Sequence, residues 1–377
     1  MTVVSWLGCD LVTGRIVEEL PGLTASGSIG ALLGAYTSAS LALPIPLGGH
    51  GRAPRGWESA TEPGRSMIVA VLAGQPIWGG IVVTRRGGTD AVVQLGCVSA
   101  EGYLDRRYVR NHTWTQQDES SVIAAGLIGD ANVEGIGLVV DAPATGTLRD
   151  RTYIDQDDAT VYSRLRELMG VTAGPEWTIS VEWADATQTA VRKRIRVRKR
   201  IGYAATIAPT AVYTTGSAAA VVASRGASDA RYTYDEDYSA SRGANHIVAT
   251  SSGEGDSRPQ SPPVRDQALF DAGWPRWEYR WTPGYSITSI NTLSEHARRA
   301  LALMARGGRP LTITSRADTY PVLGTDWWIG DDVGYELTGH RHPAGLNGAA
   351  RAIGWTLDPQ AGTVSPILLA PGEEVIQ

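Results

Sequence analysis

Five arginines recur at every second position from Arg192 to Arg200 in a chain of 377 residues. In an extended strand successive side chains point to opposite faces, so Arg192, Arg194, Arg196, Arg198 and Arg200 share one side. Ile195, Val197 and Ile201 line the other, together with Lys193 and Lys199. Guanidinium groups this close repel one another unless water or carboxylates compensate. Such a face can be solvated, can meet acidic residues of another subunit or partner, or, third in order, can meet DNA phosphates. A second array is aromatic. Trp277, Tyr279 and Trp281 alternate onto one strand face, where they could stack on a sugar ring or fill a core or an interface. Burial or subunit contact is their expected use.

The residues that catalysis needs do not assemble in the sequence. There is no Gly-x-Ser-x-Gly elbow, no His-Glu-x-x-His helix, no phosphate-cradling glycine loop before a helix and no cysteine-based metal spacing. Paired carboxylates for glycoside cleavage need not be near in sequence, so spacing does not rule on them. Asp155, Asp157 and Asp158 crowd the start of a helix expected over 155–169. Acidic residues in a first helical turn gain about 0.3–1 kcal/mol each from the free amides and the dipole, which accounts for them without a metal. His340 and His342 flank Arg341 in a turn-rich stretch with no third ligand in view, so a surface loop is expected. The chain reads as a non-enzyme that needs neither metal nor organic cofactor.

The elements that carry these residues are mostly strands. Residues 66–72, 77–85 and 91–98 are apolar, β-branched runs separated by Ala73-Gly74 and Gly87-Gly88, dipeptides suited to tight hairpins, and they predict an antiparallel meander. Residues 47–63 are rich in Gly, Pro and Arg without periodicity and read as a long surface loop. Helices are expected at 117–128 and at 155–169, where Val161, Leu165, Leu168 and Met169 share a face and Gly170 ends it. Strands follow at 177–183 and 191–201. Residues 204–260 keep a β-like texture, and 251–263 form a polar Gly/Pro/Ser loop. A helix is expected at 292–306: Thr292 and Glu295 have capping-box spacing, Leu293, Ala297, Ala300, Leu301 and Met304 share a face, Gly307 stops it and Pro310 prevents resumption.

A chain of this length exceeds one core and suggests two to four units at about 100–200 residues each. The formal net charge of −5 argues against a dedicated nucleic-acid binder, which usually carries a basic surface. No basic-then-apolar leader opens the chain and no run of about 18 apolar residues interrupts it, so folding in a cytoplasm is expected. Cys9 and Cys97 are the only cysteines and read as buried free thiols. They would come close only if the strands that hold them are neighbours. Lysine occurs only at 193 and 199 and phenylalanine only at 270, against abundant Arg, Gly and Trp, as a GC-rich coding sequence produces.

After the helix at 292–306 come RPLTITSRADTYPVLGTDWWIGDDVGYEL, with a Gly330-Asp331-Asp332 turn, and a closing strand in ARAIGWTLDPQAGTVSPIL. This succession resembles the C-terminal region of tail-hub proteins of long-tailed bacteriophages, also called minor tail, baseplate-hub or tail-associated proteins. Residues 75–109, QPIWGGIVVTRRGGTDAVVQLGCVSAEGYLDRRYV, look like the end of the first tube-like domain of such hubs. Residues 150–201 look like their small α+β domain, and GANHIVATSSGEGDSRP at 243–259 is similar to the strand and glycine-rich loop that follow.

The resemblance implies a β-rich α+β fold with two tube-protein-like antiparallel β-barrel domains plus smaller α+β parts. Residues 1–110 would be the first tube-like barrel, 111–204 the small α+β domain, 205–260 with 310–377 the second barrel, and 261–309 a connecting segment. It further implies a homotrimer whose two tube-like domains per subunit mimic six-fold tail-tube symmetry. The partners implied are the distal tail or tail-tube protein, the tape-measure protein and tip or fibre proteins, with DNA only in transit through a lumen. Its place would be the tail tip of the virion, after folding in the host cytoplasm, and the composition suits a virus of a high-GC bacterium. Two other readings stay open: a host-surface carbohydrate-binding module that uses the tryptophans, and a tail-associated cell-wall hydrolase.

Overall fold

Apolar alternation builds the first sheet. The computed structural model describes residues 4–45, 56–171, 173–206, 208–215, 228–239, 242–252, 258–283, 287, 289–307 and 311–369. Strands β1 (Val4–Asp10), β2 (Ile16–Glu19), β3 (Thr24–Ala25), β4 (Ile29–Leu32) and β5 (Ser38–Pro44) precede a short helix α1 (Trp57–Ala60). The expected meander then appears as β6 (Ser66–Leu72), β7 (Gln75–Arg86) and β8 (Val92–Ser99). Seven of these strands pair antiparallel in the order β2-β1-β6-β7-β8-β5-β3. Ala73 and Gly74 turn the β6–β7 hairpin with φ of 47° and 78°, the left-handed pair that matches strand twist in a two-residue turn. The loop read at 47–63 contains α1 in its later half, and residues 46–55 lie outside the described residues.

Every residue of β6 is buried, so both faces of the sheet are covered there. Met67, Val69 and Val71 enter a core that continues through the following hundred residues. Cys9 on β1 and Cys97 on β8 are not neighbours, because β6 and β7 lie between them in the sheet. Both thiols are free and buried, and burial pushes each up to about 12, with the nearby Lys193 charge opposing it at Cys9.

Residues 111–204 add strands β9 (His112–Asp118), β10 (Leu138–Asp141), β11 (Leu148–Tyr153), β12 (Glu176–Trp183) and β13 (Val191–Arg198), with helices α2 (Ala125–Asn132) and α3 (Val161–Gly170). The helix expected at 117–128 starts later and in a different form. Pairing with β11 keeps the chain extended to Asp118, whose carboxylate accepts the amides of Ser120 and Ser121 at 3.0 and 2.8 Å and starts a π-helical stretch, Glu119–Ala124, that runs into α2. The helix expected from 155 is broken by Asp158, at φ 49°. Thr160 is the actual cap of α3, accepting the Ser163 amide at 3.1 Å. The three aspartates therefore precede the helix. Asp157 meets Arg164 at 3.0 Å and Asp155 meets Arg110 at 3.4 Å.

The core of this part is continuous with that of the first sheet. Leu127, Ile128, Leu165 and Leu168 from the helices, and Trp177, Ile179, Ile195 and Val197 from β12 and β13, join Met67 and Val69 in one cluster. The boundary expected near residue 110 is thus a change of architecture and not a break in packing.

The rest of the chain comprises strands β14 (Val212–Thr214), β15 (Arg231–Tyr234), β16 (His246–Ala249), β17 (Val264–Arg265), β18 (Glu278–Trp281), β19 (Leu311–Arg316), β20 (Asp332–Leu337), β21 (Leu346–Asp358) and β22 (Thr363–Leu369), with helices α4 (Gln267–Asp271) and α5 (Ile290–Met304). A second sheet has the order β14-β20-β21-β22-β19, and β4 from the N-terminal part adds to β21 antiparallel, Leu32 opposite Gly354. The Gly330-Asp331-Asp332 turn leads into β20 as expected. Gly330 has φ 94°, and a Cβ there would stand 2.4 Å from the Ile201 carbonyl oxygen, so only glycine lets the turn lie against the chain leaving β13.

Contacts divide the chain into two compact units, one of Met1–Arg231 with Ile313–Leu369 and one of Tyr232–Thr312. Residues 205–260 do not stay together as expected. Val212–Thr214 pairs with β20 in the larger unit, whereas β16 lies between β17 and β18 in the smaller one. There α5 closes a small core of Ile247, Ala249, Leu293, Ala297 and Ala300. The α5 cap is Ser289 and not Thr292: its hydroxyl accepts the Thr292 amide at 3.3 Å. Gly307, at φ 74°, follows the helix end, while Pro310 and the centre of the 251–263 loop lie outside the described residues. The fold is β-rich α+β. Among the described residues no helix is long and apolar enough to cross a membrane.

Candidate functional site

The arginine-bearing strand sits in the middle of a three-stranded sheet, β10-β13-β12. Its alternation is strict: Val191, Lys193, Ile195 and Val197 are buried while Arg192, Arg194, Arg196 and Arg198 are half-buried on the opposite face. Antiparallel pairing sets Glu182 opposite Arg192, Ser180 opposite Arg194 and Glu176 opposite Arg198, and parallel pairing sets Asp141 opposite Arg196. The outer edge of β12 is closed from within the chain. The Gly34 amide donates to the Trp177 carbonyl at 2.9 Å, and the Ile179 amide donates to Glu101 Oε1 at 3.1 Å. Burial pushes the Glu101 carboxyl up, against the hydrogen bonds from Ser99 and from the amides of Glu101 and Ile179.

Register puts carboxylates where the guanidinium groups need them. Glu182 accepts from Arg192 Nε and Nη2 at 3.1 and 3.0 Å, from Arg194 Nε at 2.9 Å and from Arg196 Nη2 at 3.0 Å. Arg196 Nη1 also donates to Ser180 Oγ at 2.6 Å. Arg198 holds both the side chain and the carbonyl of Asp141 at 2.7 Å, and Arg200, just past the strand, pairs with Asp332 at 2.6 Å. Burial would raise the Glu182 carboxyl, but the hydrogen bonds from Arg194 and Arg192 and the charge of Arg196 together hold it below its ordinary value. Each arginine of the ladder therefore has a carboxylate partner inside the chain, Glu182 being shared by three. Sequence reasoning found the arginines and missed Glu182, Asp141 and Asp332, although the Glu176–Trp183 strand showed the same alternation.

Two further charged features lay outside the sequence reading. Arg351 of β21 makes a bidentate pair with Glu176 of β12, 2.5 Å to each oxygen, with both side chains 13% exposed. Lys193 lies within the apolar face of β13: the residue is 1% exposed, and its Nζ donates to the carbonyl of Leu11 at 2.5 Å.

The aromatic trio does not form one platform. Trp277 lies just before β18, is 48% exposed and meets Tyr238 edge to face at 5.6 Å. Tyr279 and Trp281 turn inward onto the small core, where Trp281 meets His296 edge to face at 5.7 Å. His340 and His342 lie in the turn between β20 and β21. Among the described residues no three His, Cys, Asp or Glu side chains group to hold a metal ion.

No protein-family model and no curated protein matches the sequence. Solved structures do match, over nearly the whole chain. The prophage MuSo2 43 kDa tail protein from Shewanella oneidensis is 10% identical, with 98% of each chain covered and a TM-score of 0.57. A tail protein from Neisseria meningitidis MC58 is 14% identical over 97% of this chain and 95% of that one, with a TM-score of 0.52. This chain shares its fold with phage tail proteins. A third match, to the half-lidded PdpA–VgrG complex of Francisella, is 7% identical with a TM-score of 0.50, over 96% of this chain and 57% of the other.

Proposed function

We propose that this chain is a structural protein of a bacteriophage tail and has no catalytic role. The observation that carries this reading is reciprocal coverage: two tail proteins, one of them from a prophage, match it over 95–98% of both chains. The finer reading is a homotrimeric hub at the distal end of the tail tube, joining tube to tip or fibre proteins and enclosing the channel through which DNA leaves. Three subunits with two tube-like barrels each present six similar faces to a six-fold tube, and closed cyclic symmetry buries strand edges without open polymerisation. The partners on this reading are the distal tail or tube protein, the tape-measure protein and the tip or fibre proteins. Arg192, Arg194, Arg196, Arg198, Arg200 and Trp277 are the residues proposed for contact; of the aromatic trio Trp277 is the exposed one, and Tyr279 and Trp281, which pack on the small core, are left out.

Mass photometry of the purified chain, alone and with its distal tail protein, tests the hub. The expected result is a trimer, alone or on mixing. A chain that stays monomeric with its neighbours present removes the hub and leaves the tail reading to be judged by its presence in particles.

A further inference from the structure

Beside the arginine face, inside the larger unit, lies a cleft of about 380 Å³. Ile77 of β7, Ile179 of β12, and Trp328 and Trp355 from the second sheet and its preceding loop make it apolar, while Glu182 and Arg196 stand in its wall. Three substructures meet there, so the cleft is built by the fold and not by one loop. Its volume falls within the range of about 300–1,000 Å³ in which proteins bind ligands, enough for a bulky side chain and its neighbours.

We propose that the cleft and the arginine face together form a docking site for an extended acidic segment of a partner protein that carries a bulky apolar side chain. Charge selects the occupant. Arg192, Arg194, Arg196 and Arg198 pair only with Glu182 and Asp141, because Glu176 opposite Arg198 is held by Arg351; this leaves two positive charges, whereas Arg200 is balanced by Asp332. Arg194 uses Nε alone on Glu182, and its two terminal amino groups have no partner among the described residues. A carboxylate arriving there is met by a planar pair of donors, the strong bidentate geometry. At about 3.3 Å per residue the four arginines span about 20 Å, the reach of an extended segment of about six residues. Nucleic acid, whose bases also stack on tryptophan, is disfavoured by the chain's formal net charge of −5. The inference goes beyond the tail reading and stands without it.

Fluorescence anisotropy of labelled decapeptides on the full chain tests the site. The first peptide carries a central tryptophan flanked by aspartate and glutamate, the second replaces the tryptophan by alanine, and the third replaces the acidic residues by lysine. The first is expected to bind saturably, and the other two to bind about tenfold more weakly or not at all. Arg194→Gln, which removes the unpartnered donors, and Ala31→Phe, which fills the cleft from its β4 wall, should each weaken the first peptide by about tenfold or more. Circular dichroism and the unfolding midpoint confirm that each variant is folded. No saturable binding of the first peptide, equal binding of all three, or unchanged affinity in either folded variant overturns the proposal.

Discussion

Lys193 occupies an environment that lysine rarely takes, almost fully buried. Alternation along β13 carries it to the apolar face, where burial pushes its amine down to about 8 against the opposing pull of Cys9 and Asp10. The folded value lies below the ordinary lysine value of 10.5, so the fold holds the charged form less well. That penalty is fully present below about pH 8 and is relieved as the pH rises towards 10.5. The buried thiols act in the opposite sense, because their raised values make stability fall once the unfolded thiol ionises above about 9. The comparison that isolates the lysine is therefore wild type against Lys193→Met. The stability of wild type relative to the variant should rise by up to about 3 kcal/mol between about pH 7 and pH 10.5, read from urea unfolding. A flat difference would mean that the amine keeps its charge at no cost.

The Glu176–Arg351 pair is a second residue-scale case, and its partners are 175 positions apart in sequence. Removing one side leaves an uncompensated buried charge, so Arg351→Met should destabilise the fold by about 3–5 kcal/mol, measured by denaturant midpoint. Neither feature was legible beforehand. A lysine at a strand end reads as solvated, and nothing local marks an ion pair closed by tertiary structure.

At the scale of elements, legibility followed the range of the interactions that decide. The β6–β7–β8 meander and α5 were readable because alternation, a left-handed turn dipeptide and a helical apolar stripe all act within a few residues. The helix expected from 117 starts two residues later, as a π-helical stretch, because β11, some thirty residues on, draws 112–118 into a strand. The arginine ladder was readable as a face, but its counter-charges depend on strand register across β10 and β12. Glu182→Gln tests that register. The change removes the carboxylate shared by three arginines and should cost about 1–3 kcal/mol at neutral pH. Because the folded carboxyl is held below its ordinary value, the contribution is present above the unfolded value of about 4.3 and is lost as the pH falls through the folded one. The gap between wild type and variant should accordingly close in acid and shrink in high salt, as thermal melts across pH and ionic strength would reveal.

At the scale of the whole molecule, the larger unit reads as small β units fused through shared strand edges, and its first hundred residues and the α+β part that follows share one core. The strand β4 leaves the N-terminal part to pair with β21, so the two large sheets are covalently and laterally linked. In the proposed hub these sheets are the two tube-like layers of each subunit. Their superposition on one another and on a tail-tube subunit should give a common barrel topology, and unrelated topologies would remove the six-fold argument.

Cryo-electron microscopy of tail particles that contain this chain tests the central claim most directly. The expected result is three copies in a ring at the distal end of the tube, with six barrel-like domains around an open channel. A chain present as a single copy beside the tube, or absent from the tail altogether, would contradict it.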